Sequence, residues 1–267
     1  MTEVLALYEH RAPAVTITLN RPQRRNALNQ PLIKALTQAF ERARDDAQAR
    51  CVILTGAGPA FCAGMDLAEL AECVDRPDTS TTQSDVGDNA LRLAKLYDLI
   101  YTLPKPTIAA VNGAAVAGGA GLVTVCDLAL AVAEARIGYP EVRRGLVAAM
   151  VMPHLLRHVG ERTARYLLLT GETIDAAAAQ RVGLINAVVP KPLLIEQSLA
   201  WARLIAECAP SAVATSKELL HQFSHQAMSV DDAANASAGP RLTKEAKQGL
   251  RAFFAKQPPP WTVTDEG

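Results

Sequence analysis

Two glycine-rich segments, Gly56-Ala57-Gly58 and Gly118-Gly119-Ala120-Gly121, are placed where a backbone could do chemistry. Each follows a short apolar run, and the second opens a helix pattern. Free N–H groups at such points can face a developing negative charge. A donor aimed at an oxyanion is typically worth about 3 kcal/mol. The same small residues could instead serve only to pack a helix closely on a sheet, and the pattern leaves both readings open. Phosphate cradles fit poorly. Gly56-Ala57-Gly58 runs into Pro59-Ala60-Phe61 with no third glycine, and Gly119-Ala120 stands where a Walker loop needs Lys-Ser/Thr. G-x-S-x-G is absent, and no serine lies between Ser84 and Ser198, which removes the nucleophile elbow.

Other reactive side chains read as structural. His154 and His158, like His221 and His225, stand four apart on a helix face, but neither H-E-x-x-H nor a carboxylate pattern accompanies them. No metal site is expected. Cys62 has no activating base in the sequence and reads as a small packed residue. The five cysteines are odd in number and scattered, as reduced thiols are.

The elements that must hold these segments follow an α/β pattern. Val15, Ile17 and Leu19 alternate with threonines as a half-buried strand, and Pro31 opens a helix with Leu32, Leu36, Ala39, Phe40 and Ala43 on one face. Cys51–Thr55 and Thr107–Val111 are apolar runs suited to a parallel sheet buried on both faces. Ligands of such sheets sit beyond the carboxyl ends of the strands. Residues 75–89 are polar apart from Val86 and predict a mobile surface loop. A helix carrying Leu91, Ala94, Leu96, Leu99 and Ile100 comes next, and beyond Pro190 the chain reads as helical.

The 267 residues are 49% hydrophobic and 20% charged, enough for a large core. Lys plus Arg balance Asp plus Glu at 27 each, which argues against bulk electrostatic binding of nucleic acid or a membrane surface. No run of eighteen apolar residues occurs, and Met1-Thr2-Glu3 leads into a strand pattern without the layout of a secretory signal. A cytoplasmic protein with no nucleic-acid or membrane partner is expected.

Several runs, read together, resemble the crotonase superfamily of enoyl-CoA hydratases and isomerases. They are Asn20-Arg21-Pro22 with Asn26-Ala27-Leu28, Phe61-Cys62-Ala63-Gly64-Met65-Asp66-Leu67, and Lys105-Pro106 with Ala109–Gly113. Cys126–Ala129, Pro140-Glu141-Val142 with Gly145-Leu146, and Leu169–Glu172 with Ala179 and Gly183-Leu184 extend the likeness over nearly the whole chain. The resemblance implies a spiral of ββα units over residues 1–190 and a helical trimerisation region over 191–267, assembled as a homotrimer or hexamer. It implies an acyl-CoA substrate and no separate cofactor, coenzyme A being part of the substrate. It places the two oxyanion N–H groups on Met65 and Gly118, and an acid/base carboxylate on Glu141. Arg25, Ala63 and Asp66 fall among the substrate-binding residues, with Arg24 a further candidate for the coenzyme phosphates. The closing segment, Ala252–Lys256 with Pro259 and Trp261, is similar to one that covers the coenzyme of a neighbouring subunit, making Lys256 a phosphate contact. One departure stands out. Hydratases of the superfamily hold water between two glutamates, and the first falls here on Gly121, with no Asp or Glu from Asn112 to Cys126. Isomerisation needs only one acid/base, so hydration and isomerisation both stay open, as does a binding protein that has lost turnover.

Overall fold

The computed structural model describes residues 4–74, 80–223 and 229–258. Its first hairpin, β1 (Ala6–Arg11) and β2 (Ala14–Leu19), pairs antiparallel with Ala6 opposite Leu19. The helix α1 (Gln30–Asp45) begins at Asn29, whose side chain accepts from the Leu32 N–H, and buries the predicted face together with Ile33. β2 is more enclosed than its alternation predicts, with Thr16 buried as well as Val15 and Ile17. It lies inside a sheet, between β1 and β3 (Cys51–Gly56), with α1 packed on it.

From β3 onward one pattern repeats. β3 is followed by β4 (Ala60–Cys62) and by α2 (Leu67–Val74) and α3 (Ser80–Thr102). β5 (Thr107–Val111) is followed by β6 (Ala114–Val116) and α4 (Gly118–Val125). β7 (Leu128–Val132) is followed by β8 (Arg136–Gly138) and α5 (Met152–Thr170). The first strand of each unit joins a six-stranded sheet ordered β1-β2-β3-β5-β7-β10, parallel from β2 onward, where β10 is Ala187–Val189. The second joins a smaller sheet ordered β4-β6-β8-β9, with β9 (Thr173–Asp175) antiparallel at its edge. A short helix, α6 (Ala176–Arg181), links β9 towards β10. This is a spiral of ββα units, as expected. The turns at Gly56–Gly58 and Asn112-Gly113 pass the chain from the larger sheet to the smaller one, into β4 and β6.

The structure corrects the expected loop at 75–89 from residue 80 on; residues 75–79 lie outside the described residues. α3 starts at Ser80 and buries Val86 and Ala90 against Ala238. A polar sequence stays helical there because a C-terminal helix covers its few apolar side chains, which no local signal reveals. Of the residues expected on this helix, Ala94, Leu96 and Ile100 are buried and Leu91 and Leu99 half-buried, while Leu93 and Tyr97 join the buried face. Of the last helices, α7 (Leu194–Ala206) packs on β3, β5 and β7, and α8 (Pro210–Phe223) touches α3. α9 (Val230–Arg241) lies along α3, and α10 (Lys244–Phe254) meets α2 and the 3-10 turn Pro140–Arg144.

Asn26 ties the start of this arrangement together. It is fully buried with φ of 55°, a left-handed conformation that asparagine tolerates better than most residues. Its Nδ2 donates to the carbonyls of Ala57, Ala60 and Phe61 at 2.9–3.1 Å, and its Oδ1 accepts from the Arg21 N–H at 2.9 Å. One side chain thereby locks the β2–α1 connection to β4. Asn26→Ala, which orphans those buried groups, is expected to lower unfolding free energy by about 2–4 kcal/mol in urea titration.

Candidate active site

Ala60–Cys62 and Ala114–Val116 run side by side and deliver two backbone segments to one place. After β4, Leu28 and Met65 form a parallel bridge in which the Leu28 N–H donates to the Gly64 carbonyl and the Asp66 N–H to the Leu28 carbonyl. In that pattern the amide of Met65 itself faces away from Leu28. After β6, Ala117 adopts φ 51° and ψ −127°, strained for a residue with a Cβ, and α4 begins at Gly118. As the first residue of the helix, Gly118 has an N–H with no intrahelical acceptor. The segments touch: a Cβ on Gly118 would lie 3.7 Å from Met65 N, and one on Gly64 would lie 3.2 Å from Gly118 N. Gly64 itself has φ of +87°, and a side chain there would strike Ala117 Cβ. Two free amides thus come from adjoining backbones, an arrangement able to receive an oxyanion.

Met65 and Gly118 both line a cavity of about 540 Å³. Ala63, Asp66, Arg24 and Arg25 line it from the N-terminal part, Leu93 and Tyr97 from α3, and Arg241, Phe253 and Phe254 from the last helices. Glu141 and Arg144 enter from the 3-10 turn Pro140–Arg144, which Pro140 starts and Gly145, at φ 70°, ends. Glu141 is half-buried as a residue, yet its Oε2 is enclosed and has no hydrogen-bond partner among the described residues. Burial pushes its carboxyl up to about 7, against the pull of its own backbone N–H, Arg144 and Arg241.

The enoyl-CoA hydratase/isomerase family profile matches residues 9–264. The chain belongs to that family, within the crotonase superfamily. It is 43% identical over 247 residues to a Thermus thermophilus protein provisionally named an enoyl-CoA hydratase, covering 91% of this chain and 95% of that one. It is 34% identical to the 2,3-dehydroadipyl-CoA hydratase of Escherichia coli, over 97% of this chain and 98% of that one. The crystal structure of an enoyl-CoA hydratase/isomerase from Xanthobacter autotrophicus Py2 superimposes with a TM-score of 0.83 at 31% identity, covering 96% and 97% of the two chains. No helix among the described residues is long and apolar enough to cross a membrane.

Within this family member, the residues singled out in the sequence do not all face the cavity in the same way. Met65, Gly118, Glu141, Ala63, Asp66 and Arg25 all line it. The Asp66 carboxylate is already engaged: Oδ2 pairs with Arg21 at 3.0 Å, and Oδ1 accepts from the Ala68 N–H at 3.1 Å. It therefore builds the wall. Lys256 is exposed and outside the lining, whereas Phe253 and Phe254 border the cavity of their own chain. Pro259, Trp261 and His225 lie outside the described residues. Cys62 donates to the Asn26 carbonyl at 3.1 Å, and burial raises its thiol to about 12, which leaves no thiolate for nucleophilic work. His158 bonds the Thr124 carbonyl at 2.9 Å, and His154 packs edge-on against Tyr101.

Tyr97, Arg144 and Arg241 were not found by sequence reasoning. Tyr97 donates to the Gly118 carbonyl at 2.6 Å, and burial holds its phenol well above its ordinary pKa, so it stays protonated. A Cβ on Gly121 would lie 2.5 Å from Tyr97 Oη and 2.6 Å from Val151 Cγ1. The place beside α4 that a longer side chain would need is already filled. Gly121→Ala should therefore cost about 1–3 kcal/mol of stability, and adding Tyr97→Phe should recover part of it, read as a coupling in a double-mutant cycle.

Glu141 also makes stability depend on pH. Its carboxyl binds a proton more tightly in the folded chain than at the ordinary 4.5, so its contribution is complete below about 4.5 and is lost as pH rises through about 7. Between those values the wild type is expected to lose unfolding free energy relative to Glu141→Gln, measured by urea titration at stepped pH.

Proposed function

We propose that the protein moves a double bond in an enoyl-CoA thioester, with Glu141 as the only acid/base and the Met65 and Gly118 amides holding the thioester oxygen. The observation that carries this reading is Glu141 on the cavity lining, with its enclosed Oε2 lacking a hydrogen-bond partner among the described residues, while the other lining carboxylate, Asp66, is bonded to Arg21. As carboxylate, Glu141 takes a proton from C2 of a 3-enoyl thioester. The C–H electron pair becomes part of a dienolate whose charge settles on the carbonyl oxygen, between the two amides. The protonated Glu141 then returns the proton to C4 and the double bond comes to rest between C2 and C3. Arg24 and Arg25, exposed residues of the cavity lining, suit the phosphates of the coenzyme. The same reading takes the molecule as a cytoplasmic homotrimer or hexamer.

The names of the relatives favour a second reading, addition of water across a 2-enoyl thioester. Gly121 stands where the resemblance puts a hydratase's first glutamate, and Tyr97 and Val151 close the adjoining space. Water would then have to be oriented by Glu141 and neutral groups alone, which is why isomerisation is preferred. Purified protein should convert 3-enoyl-CoA to 2-enoyl-CoA faster than it hydrates 2-enoyl-CoA. Glu141→Gln should lower kcat by roughly 10²–10⁴-fold with a smaller change in KM. Because the reaction starts from the carboxylate, kcat/KM should rise with pH through an apparent pKa near 7. Equal rates for wild type and Glu141→Gln would reject the assigned role, and saturable binding without turnover would make the chain a binding protein.

A further inference from the structure

The cavity wall beside Glu141 carries more positive charge than the reaction needs. Its lining holds Arg24, Arg25, Arg144 and Arg241 against two carboxylates, Asp66 and Glu141. Asp66 is spent on Arg21, and Glu141 must be free to take and return a proton. Arg144 is three residues beyond Glu141 in a 3-10 turn, where side chains at that spacing eclipse one another. Both therefore project from the same side into the same cavity. The Arg144 guanidinium lies 4.7 Å from the Phe253 ring centre and reaches the Pro140 carbonyl from Nη1 at 3.3 Å. Its Nε is enclosed and has no hydrogen-bond partner among the described residues. Arg241, only 7% exposed and with contacts of its own, adds a second guanidinium to the lining.

We propose that Arg144, supported by Arg241, selects acyl groups that carry a carboxylate at the end remote from the thioester. The inference rests on the acyl-CoA reading above and names the substrate class within it. A purely hydrocarbon acyl chain would lay apolar atoms against the two arginines of the lining, whereas a carboxylate supplies two acceptors in the geometry a guanidinium fork matches. The phosphates of the coenzyme are the other anions at hand. Glu141 has to touch the acyl carbons, and Arg144 shares its side of the turn, so the acyl end is favoured. Arg24 and Arg25 already stand exposed on a different segment of the lining.

The test is calorimetric binding of two saturated thioesters to the full chain, hexanoyl-CoA and adipyl-CoA, which differ by the terminal carboxylate and undergo no turnover. Adipyl-CoA should bind at least about tenfold more tightly to the wild type. Arg144→Gln should bring the two affinities to within about twofold, and Arg144→Lys should retain part of the difference. Equal affinities in the wild type would overturn the proposal, and so would an equal weakening of both ligands by Arg144→Gln, which would put Arg144 on a phosphate. If that variant does not fold, the wild-type ratio, extended to succinyl-CoA and glutaryl-CoA, decides alone: no carboxylate advantage at any length overturns it. Binding of both thioesters with no isomerisation or hydration would remove the assigned reaction and leave this inference standing. Binding of neither would remove both.

Discussion

The contact between Gly64-Met65 and Ala117-Gly118 is the constraint on which the rest of the site depends. Two peptide segments approach so closely that a side chain on Gly64 would meet Ala117 Cβ, and Ala117 accepts a positive φ to make the turn. Neither arrangement is favourable by itself. Both persist because β4 and β6 are neighbouring parallel strands, because Asn26 clamps the segment before β4, and because Tyr97 bonds the first carbonyl of α4. Local strain at this point is overdetermined by its surroundings.

Glu141 answers to a different physical demand. The 3-10 turn holds one oxygen of its carboxyl group enclosed and without a hydrogen-bond partner among the described residues, the environment that the proposed proton transfer near neutrality calls for. The two arginines nearby stop burial from raising its proton affinity further. The Glu141 carboxyl and the arginines beside it are thus one electrostatic unit, and altering either changes the other.

The ordered elements of the core could be read from residue patterns because their signals are local. The apolar runs at Cys51–Thr55 and Thr107–Val111, the α1 face and the helix starting at Gly118 follow from spacing and glycine chemistry. The assignment of Met65, Gly118 and Glu141 came instead from family resemblance. What escaped was non-local. The helix beginning at Ser80 exists because α9 covers it, and the enclosure of β2 reflects its place inside a sheet. Tyr97 looks like one more core aromatic until α3 is laid against α4. Arg144 looks like a solvated residue beside Arg143 until its turn is seen to face a cavity. Asp66 shows the opposite limit: its place on the lining was expected, but its ion pair with Arg21 depends on a loop 45 positions earlier in the chain.

Arg241, Phe253 and Phe254 line a cavity otherwise built from residues between Gln23 and Val151. A molecule that touches those three side chains as well as the rest of the lining binds better with the last two helices docked than without them. Its occupancy then tightens the hold of the chain's end on the rest by mass action. Ligand and terminal helices are, in thermodynamic effect, each other's fastening.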